Sequence, residues 1–402
     1  MRPFAATIPL GEARSILDGA VRSIVRAESV GLSALTGRVL AEHVTADADV
    51  PPFARAMMDG YALRAADTTG ASRETPRDLR VVGRVFTGEV FAGAVAAGQA
   101  VEIATGAPLP AGADAVVMVE ETRPAGADRV AITAAATAGH HVGRAGADIA
   151  RGATVLHAGD VLAPSRVGVL AALGRTEARV LARPRVAIVS TGNEIVAPGR
   201  PLGPGQIYDI NRHTLSAVIA GHGGVAEPLE VAGDTMDALD RALDAAVACD
   251  LVVFSGGSSV GDRDLVLDVL RRRGEVLFHG IATRPGKPTA FGRLGDVPVF
   301  GMPGNPTSCL TNAYVLLVPF LRRLAGLPPH RPHVVPAPLA RRVTSGAGRH
   351  QFYTVRLVDG RAEPAFKASS DITSMAQADG YIEIAAEVTA IEAGTTVAVV
   401  LF

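Results

Sequence analysis

Three stretches decide how this chain is read: DLVVFSGGSSVGDRDLVLDVL at residues 250–270, RPGKPTAFG at 284–292 and VPVFGMPGNPTS at 297–308. Each joins short apolar strand sequence to a glycine-rich polar turn, followed by a helix start or a second strand. Turns of this kind present consecutive backbone N–H groups, and a helix N-terminus adds partial positive charge, so both favour an anionic ligand. Asp262 and Asp264 stand beside the first turn and repel an anion unless a cation bridges them. Glycine-rich anion cradles next to carboxylates point to phosphate together with a divalent metal. Gly256, Gly257, Ser258, Ser259 and Asp262 are the candidate contacts here, and one of the two aspartates is expected only to cap the next helix.

Working outward, strand and helix alternate from Arg185. RVAIVSTG, a helix over about 211–220, VAEPLEVAGD, a helix near 236–248, LVVFSGG and a helix near 265–272 follow in order. Two short strands and a closing helix from Pro306 to about Ala325 complete the run. This spacing predicts a parallel sheet covered on both faces, with ligand loops at the C-terminal edges of its strands. Upstream, residues 10–43 read as helical, because Ile16, Ala20, Ile24 and Val25 recur near a 3.6 period. Short strands near 79–86, 101–105, 115–120 and 130–133, punctuated by Gly and Pro, predict a β-rich module. Beyond the Pro-rich LPPHRPHVVPAP at 327–338, strand sequence dominates to the end. The expected fold is multidomain α/β plus β. A helical/extended segment takes 1–49 and 140–182, the β-rich module 50–139, a doubly wound α/β domain 183–327 and a C-terminal β domain 328–402.

A 402-residue chain with 48% hydrophobic and 20% charged residues has ample material for several ordinary globular cores. The formal net charge of −1 gives no bulk attraction to nucleic acid or an acidic membrane. Cys249 and Cys309 lack C-x-x-C spacing, which excludes a cysteine zinc site or a dense disulfide scaffold and suits a reducing compartment. The N-terminus has no signal-peptide core, and the longest apolar run, Ala313–Leu321, contains Pro319 and falls far short of the roughly 20 residues of a span. A cytoplasmic protein is expected. Among 39 cationic residues only Lys287 and Lys367 are lysine. Genomic arginine bias accounts for most of that, yet a retained lysine suggests a place where a compact ammonium is needed.

Gly257–Gly261 matches the G-x-S-x-G nucleophile elbow, but the apolar strand stops near Phe254 rather than at the serine, and no triad histidine is evident. Gly280–Lys287 is not a phosphate-binding Walker loop, because the glycine spacing is wrong and Pro288 replaces the Ser/Thr. Lys287 held between Pro-Gly and Pro, beside Arg284, still has the character of a rigid cation pair for phosphate. In PGNPTS, Gly304 opens the turn, Asn305 is a plausible N-cap and Pro306 a plausible first helical residue.

Taken together, the motifs resemble the molybdopterin molybdenumtransferase (MoeA) family, also seen as the E domain of gephyrin. The resemblance runs in order through PPFARAMMDGYALR (51–64), ATGAPLPAGADAVVMVEE (104–121), STGNEIVAPGRPLGPGQIYDIN (190–211), SGGSSVGDRD (255–264), RPGKP (284–288), MPGNPTS (302–308) and SMAQADGYIEI (374–384). It implies an elongated four-part homodimer whose α/β domain binds the pterin. The implied reaction takes adenylated molybdopterin, molybdate and Mg²⁺, places molybdenum on the dithiolene sulfurs and releases AMP. The implied partners are the molybdopterin-adenylating enzyme and apo-molybdoenzymes or their chaperones. The site residues it implies are Asp59, Thr105, Asp148, Glu194, Asp234, Asp264, Lys287, Arg349 and Ser369. Of these, Glu194, Asp234 and Asp264 would hold Mg²⁺. Lys287 and Arg284 would neutralise phosphate charge, and Arg349 and Ser369 would meet molybdate or pterin from a partner subunit. Asp59 and Thr105 would complete that cleft across the dimer.

The chain departs from the family pattern in places. Asn193 stands where the family's T-G-D-E has Asp, Arg284 where its K-P-G-K has Lys, Ser258 in place of an apolar residue, and Ser370 where glycine is common. None of these removes a residue given a catalytic role. Two other readings compete: an enzyme that adenylates molybdopterin, and a non-catalytic pterin-binding scaffold. The first lacks the AMDGY-, TGAPLP- and C-terminal-type segments present here, and the second would not need the intact acidic set.

Overall fold

The computed structural model describes residues 7–233, 235–256 and 265–402. The chain forms two compact units: residues 1–28, 37–39 and 180–402, and residues 29–36 and 40–179.

The smaller unit is built on six strands: β1 (Gly60–Leu63), β2 (Arg77–Val85), β3 (Gln99–Ile103), β4 (Ala115–Met118), β5 (Thr122–Pro124) and β6 (Arg129–Ile132). They order as β4-β1-β3-β2-β6-β5, with β2 and β3 parallel and the other neighbours antiparallel. Period-2 alternation splits its core between two faces. Leu63, Val117, Val130 and Ile132 pack on one and Ala62, Val101, Ile103 and Val116 on the other.

In the larger unit, α1 (Leu10–Ala20) is followed by β7 (Arg185–Ser190), α2 (Asn211–Gly221), β8 (Val225–Pro228), α3 (Met236–Ala246), β9 (Leu251–Ser255), α4 (Leu265–Arg273), β10 (Glu275–His279), β11 (Thr283–Arg284), β12 (Ala290–Leu294) and β13 (Val297–Met302). The α/β sheet orders as β8-β7-β9-β13-β12-β10. β8, β7, β9 and β13 are parallel; β12 alone runs the other way, antiparallel to both β13 and β10. The sheet is therefore mixed rather than wholly parallel, because only a short turn joins β12 to β13 and leaves no room for a crossover helix. Val186, Ile188, Val253 and Phe300 face one core with Leu215 and Ile219 of α2. Ala187, Val189, Val252 and Phe254 face another with Leu239 and Leu243 of α3 and Leu270 of α4. Strands buried on both faces explain why these segments read as continuous apolar runs.

The expected helix over 10–43 is much shorter. It ends at Ala20, and Ala27–Gly31 is a strand followed by a single 3₁₀ turn at Leu32–Ala34. Val21, Ile24 and Val25 are β-branched and the stretch continues into Gly31 and Gly37, so local preference there does not sustain a helix. The closing helix is α5 (Pro306–Asn312) and α6 (Val318–Leu324) joined by a π turn at Ala313–Leu317. Pro319 has no N–H to give the regular ladder, and the wider turn accommodates it. Phe320 of α6 meets Phe291 and Phe300 edge-to-face at ring separations of 5.5 and 5.3 Å. Each such ring contributes roughly 1.5–3 kcal/mol by burial.

The C-terminal sheet contains β14 (Val334–Pro338), β15 (His350–Val358), β16 (Arg361–Pro364), β17 (Gly380–Ile384) and β18 (Thr396–Leu401). Its order is β11-β15-β17-β18-β14, with β16 on β15. Its edge partner β11 comes from the α/β region, pairing Thr283 with His350 and Arg284 with Gln351. That pairing fastens the RPGKP loop to the C-terminal sheet and positions the site.

Candidate active site

β7, β9 and β13 end side by side at Ser190, Ser255 and Met302. Beyond their C-terminal edges lies a cavity of about 1200 Å³. Glu194, Gly256, Arg284, Lys287, Gly304, Asn305, Pro306, Arg349 and Ser369 all line it. These residues come from distant parts of the sequence, and the β11–β15 pairing brings Arg284 and Arg349 to one wall. Arg349 and Ser369 therefore reach the cavity within a single chain, where the family pattern led us to expect them from a partner subunit.

The RPGKP loop is held tightly. Gly286 has φ +99°, and a Cβ there would fall on the Asn312 amide. Asn312 is buried and donates through Nδ2 to the Gly286 carbonyl (2.9 Å) and to Thr289 Oγ1 (2.5 Å). The Lys287 carbonyl accepts the N–H groups of Ile281 (3.0 Å) and Thr289 (2.9 Å). Asn312 was not singled out from sequence, because its role depends on a helix lying beneath a loop 23 to 26 residues earlier. Asn312→Leu is expected to lower stability by about 1–2 kcal/mol, since Thr289 loses its donor while Gly286 keeps one. A denaturant midpoint unchanged from the parent would remove Asn312 from this account.

Asn305 precedes the first turn of α5 as expected, but its side chain makes no cap; Nδ2 donates instead to Ser369 Oγ (3.1 Å). The Thr307 N–H is also taken, by the Ser369 carbonyl (3.1 Å), so that N–H is not open to phosphate. Thr307 Oγ1 donates to the Asp371 carbonyl (2.8 Å). The turn thus seats Ser369 rather than an anion directly, because the C-terminal segment packs onto it.

Cations gather in the same cavity. Arg284, Lys287, Arg349 and Lys367 line the cavity, so both lysines of this arginine-rich chain are there. Lys367 was noted in the sequence only for its rarity. Its Nζ donates to Thr373 Oγ1 (3.1 Å) and Gln377 Oε1 (3.5 Å), which aims the ammonium. Glu194 supplies a carboxylate folded over Gly192, where a Cβ would come within 2.6 Å of Oε1. The cavity floor carries Asp209 and Asn211, both buried, and neither was assigned a role from sequence although both lie in the quoted YDIN. Cys309 is fully buried; burial pushes its thiol up to about 12 against an opposing hydrogen bond with Ser255, so the thiolate is disfavoured.

Asp234, Gly257, Ser258, Ser259, Asp262 and Asp264 lie outside the described residues. Asp59, Thr105 and Asp148 belong to the smaller unit. There Asp59 Oδ1 accepts the Thr105 N–H (2.7 Å) and the Thr105 hydroxyl (2.8 Å), while Asp148 is exposed. The Thr105 N–H, and secondarily its hydroxyl, hold Asp59 below its ordinary 3.8. A depressed carboxylate favours the fold above that ordinary value, and the contribution is lost as pH falls through the lower folded value. In Thr105→Val the larger backbone bond remains. Carboxyl-carbon NMR titration should therefore recover only part of the depression; full recovery or none would contradict this ranking.

Three protein-family models match in order: the MoeA N-terminal region (domain I and II) over residues 8–174, a probable molybdopterin binding domain over 187–323 and the MoeA C-terminal region (domain IV) over 336–402. Molybdopterin molybdenumtransferase 2 of Mycobacterium tuberculosis is 39% identical over 379 residues, 91% of this chain and 93% of its own. This chain belongs to the MoeA family. Another relative, the molybdopterin molybdenumtransferase of Haemophilus influenzae, is 32% identical and covers 98% of both chains. A crystal structure of a molybdopterin biosynthesis MoeA protein from Pyrococcus horikoshii superposes with a TM-score of 0.87 at 40% identity, covering 98% of this chain and 99% of that one. MoeA membership and the multidomain α/β-plus-β fold thus rest on sequence and structure alike. Among the described residues no helix is long and apolar enough to cross a membrane.

Proposed function

We propose that this MoeA-family chain is a molybdopterin molybdenumtransferase, a transferase of molybdenum cofactor biosynthesis that consumes adenylated molybdopterin and molybdate and yields molybdenum cofactor and AMP. One observation carries the reading: a single cavity at the C-terminal strand edges joins a cationic wall of Arg284, Lys287, Arg349 and Lys367 to the carboxylate of Glu194. A phosphate-linked substrate and an oxyanion both need such a wall, and its size accommodates a ligand with two ring systems.

Lys287 and Arg284 hold the phosphate link and receive the charge that develops as the bond to AMP breaks. Arg349 and Ser369 orient the molybdate oxyanion, the serine being seated by Asn305. The tied loop fixes the backbone from which Lys287 extends before substrate arrives, which limits the reorganisation that accompanies the reaction. The oxygen chemistry of Glu194, exposed at the cavity lip over Gly192, fits a hard cation. Glu194, with Asp234 and Asp264, would hold Mg²⁺, which supplies charge neutralisation and polarisation of the phosphate. The enzyme acts as a cytoplasmic homodimer, and Asp59, Thr105 and Asp148 are also required for its turnover. It takes its substrate from the molybdopterin-adenylating enzyme and passes its product to apo-molybdoenzymes or their chaperones.

The test is AMP release from adenylated molybdopterin by purified protein with Mg²⁺, with and without molybdate. Molybdate-dependent release that yields cofactor able to activate an apo-molybdoenzyme supports the transferase. Tight binding without release would mark a scaffold, and ATP consumption in place of AMP release would mark an adenylating enzyme.

A further inference from the structure

The floor of the cavity is the chemical opposite of its cationic wall. Asp209 and Asn211 flank the start of α2, with relative exposures of 4% and 7%. Each is aimed by one hydrogen bond. Asp209 Oδ1 accepts the Arg212 N–H (3.0 Å), and Asn211 Nδ2 donates to the Gly304 carbonyl (2.7 Å). Their other oxygens, Asp209 Oδ2 and Asn211 Oδ1, are buried and have no hydrogen-bond partner among the described residues, though both side chains line the cavity. A buried carboxylate oxygen left unpaired is costly, and folding alone offers no return for it. The hydroxyls of Ser190 and Thr191, on the same floor, are likewise unpartnered. A ligand that completes this floor must bring hydrogen-bond donors to Asp209 and Asn211, while the two hydroxyls can donate or accept, and its phosphate must lie elsewhere, because an anion beside Asp209 would be repelled.

We propose that Asp209 and Asn211 read the donor edge of the substrate's pterin ring, accepting its ring N–H and exocyclic amine. This rests on the molybdenumtransferase reading and adds which end of the substrate sits where. Two acceptors on residues two apart in the chain suit a 2-amino-4-oxo pyrimidine edge, where two donors stand side by side. Adenine presents one amine beside a bare ring nitrogen, so one of the two acceptors would face another acceptor. The floor therefore selects the pterin end and leaves the adenylate to the remainder of the cavity. Sites built to hydrogen-bond a donor reject analogues that lack it, because their own buried groups are then left unpaired.

The test uses the full chain and three probes: a pterin bearing a 6-phosphomethyl arm, the matching lumazine with a carbonyl in place of the amine, and AMP. Calorimetric titration of the parent should favour the pterin over the lumazine by about tenfold to a hundredfold. Asp209→Asn keeps the oxygen that caps Arg212 and replaces only the unpartnered acceptor. It should weaken pterin to a similar extent, nearly abolish the pterin–lumazine preference and leave AMP affinity and melting temperature in place. Equal pterin and lumazine affinities in the parent, undiminished pterin affinity in the variant, or an equal loss for AMP would overturn the proposal. So would an unchanged pterin affinity accompanied by a higher Mg²⁺ requirement, which would make Asp209 a metal ligand. The functional reading fails separately: a parent that discriminates pterin from lumazine but never releases AMP with molybdate keeps the donor-edge assignment and loses the transferase.

Discussion

Replacing Lys287 with alanine should lower molybdate-dependent AMP release by about two to three orders of magnitude, the scale of losing one fixed donor to a developing oxyanion. Lys287 belongs to a loop whose backbone is tied to Ile281 and Thr289 and whose neighbour Gly286 is locked against Asn312. Its backbone is therefore placed by the fold before substrate arrives. Lys287→Arg keeps the charge but substitutes a planar fork for a compact ammonium, and should recover only part of the rate. The effect belongs to turnover more than to stability, so melting temperature should move little. Single-turnover assay with AMP quantified by chromatography decides it; a Lys287→Ala variant keeping more than a tenth of parent activity would remove the residue from the chemistry.

The largest structural effect is expected at Gly286. Its φ of +99° costs an L-residue roughly 1–2 kcal/mol. The added methyl also meets the Asn312 side chain, which cannot retreat without giving up its bonds to Gly286 and Thr289. Overpacking of that kind costs about 1–3 kcal/mol more. Gly286→Ala should thus lose about 2–5 kcal/mol and lower the melting temperature by about 5–15 °C. Molybdate-dependent turnover should fall too, because Lys287 and Arg284 flank the displaced glycine. A variant with parent-like melting and turnover would show that the loop tolerates what its geometry forbids.

Much of this was legible in the sequence. Alternating strand and helix segments from Arg185 onward gave the α/β sheet, because residues buried on both faces must be apolar throughout. The turns at 284–288 and 302–306 were recognisable from Pro and Gly placement, since those residues fix or free φ locally. Where the reading over-reached, at residues 21–43, a 3.6-spaced apolar pattern competed with β-branched residues and glycines, and the tertiary structure took the strand. The antiparallel pair β10–β12 was hidden because a strand's direction depends on its partner and not on its own composition.

The site divides in the same way. Glycine-rich turns, the flanking cations and the acidic motif residues could be named from sequence because each is a local chemical pattern. That Arg349 and Ser369 enter the same cavity as Lys287 followed only from β11 joining the C-terminal sheet and Asn305 reaching Ser369. The roles of Asn312 and Lys367, and the unpaired oxygens of Asp209 and Asn211, were likewise invisible. Sequence by itself determined the elements, the turns and the kinds of charge this protein carries, because those follow from backbone sterics and local burial pattern. Only the tertiary structure decided which charges face one another and which polar atoms are buried without partners, because desolvation and hydrogen-bond completion are set by residues tens to hundreds of positions apart.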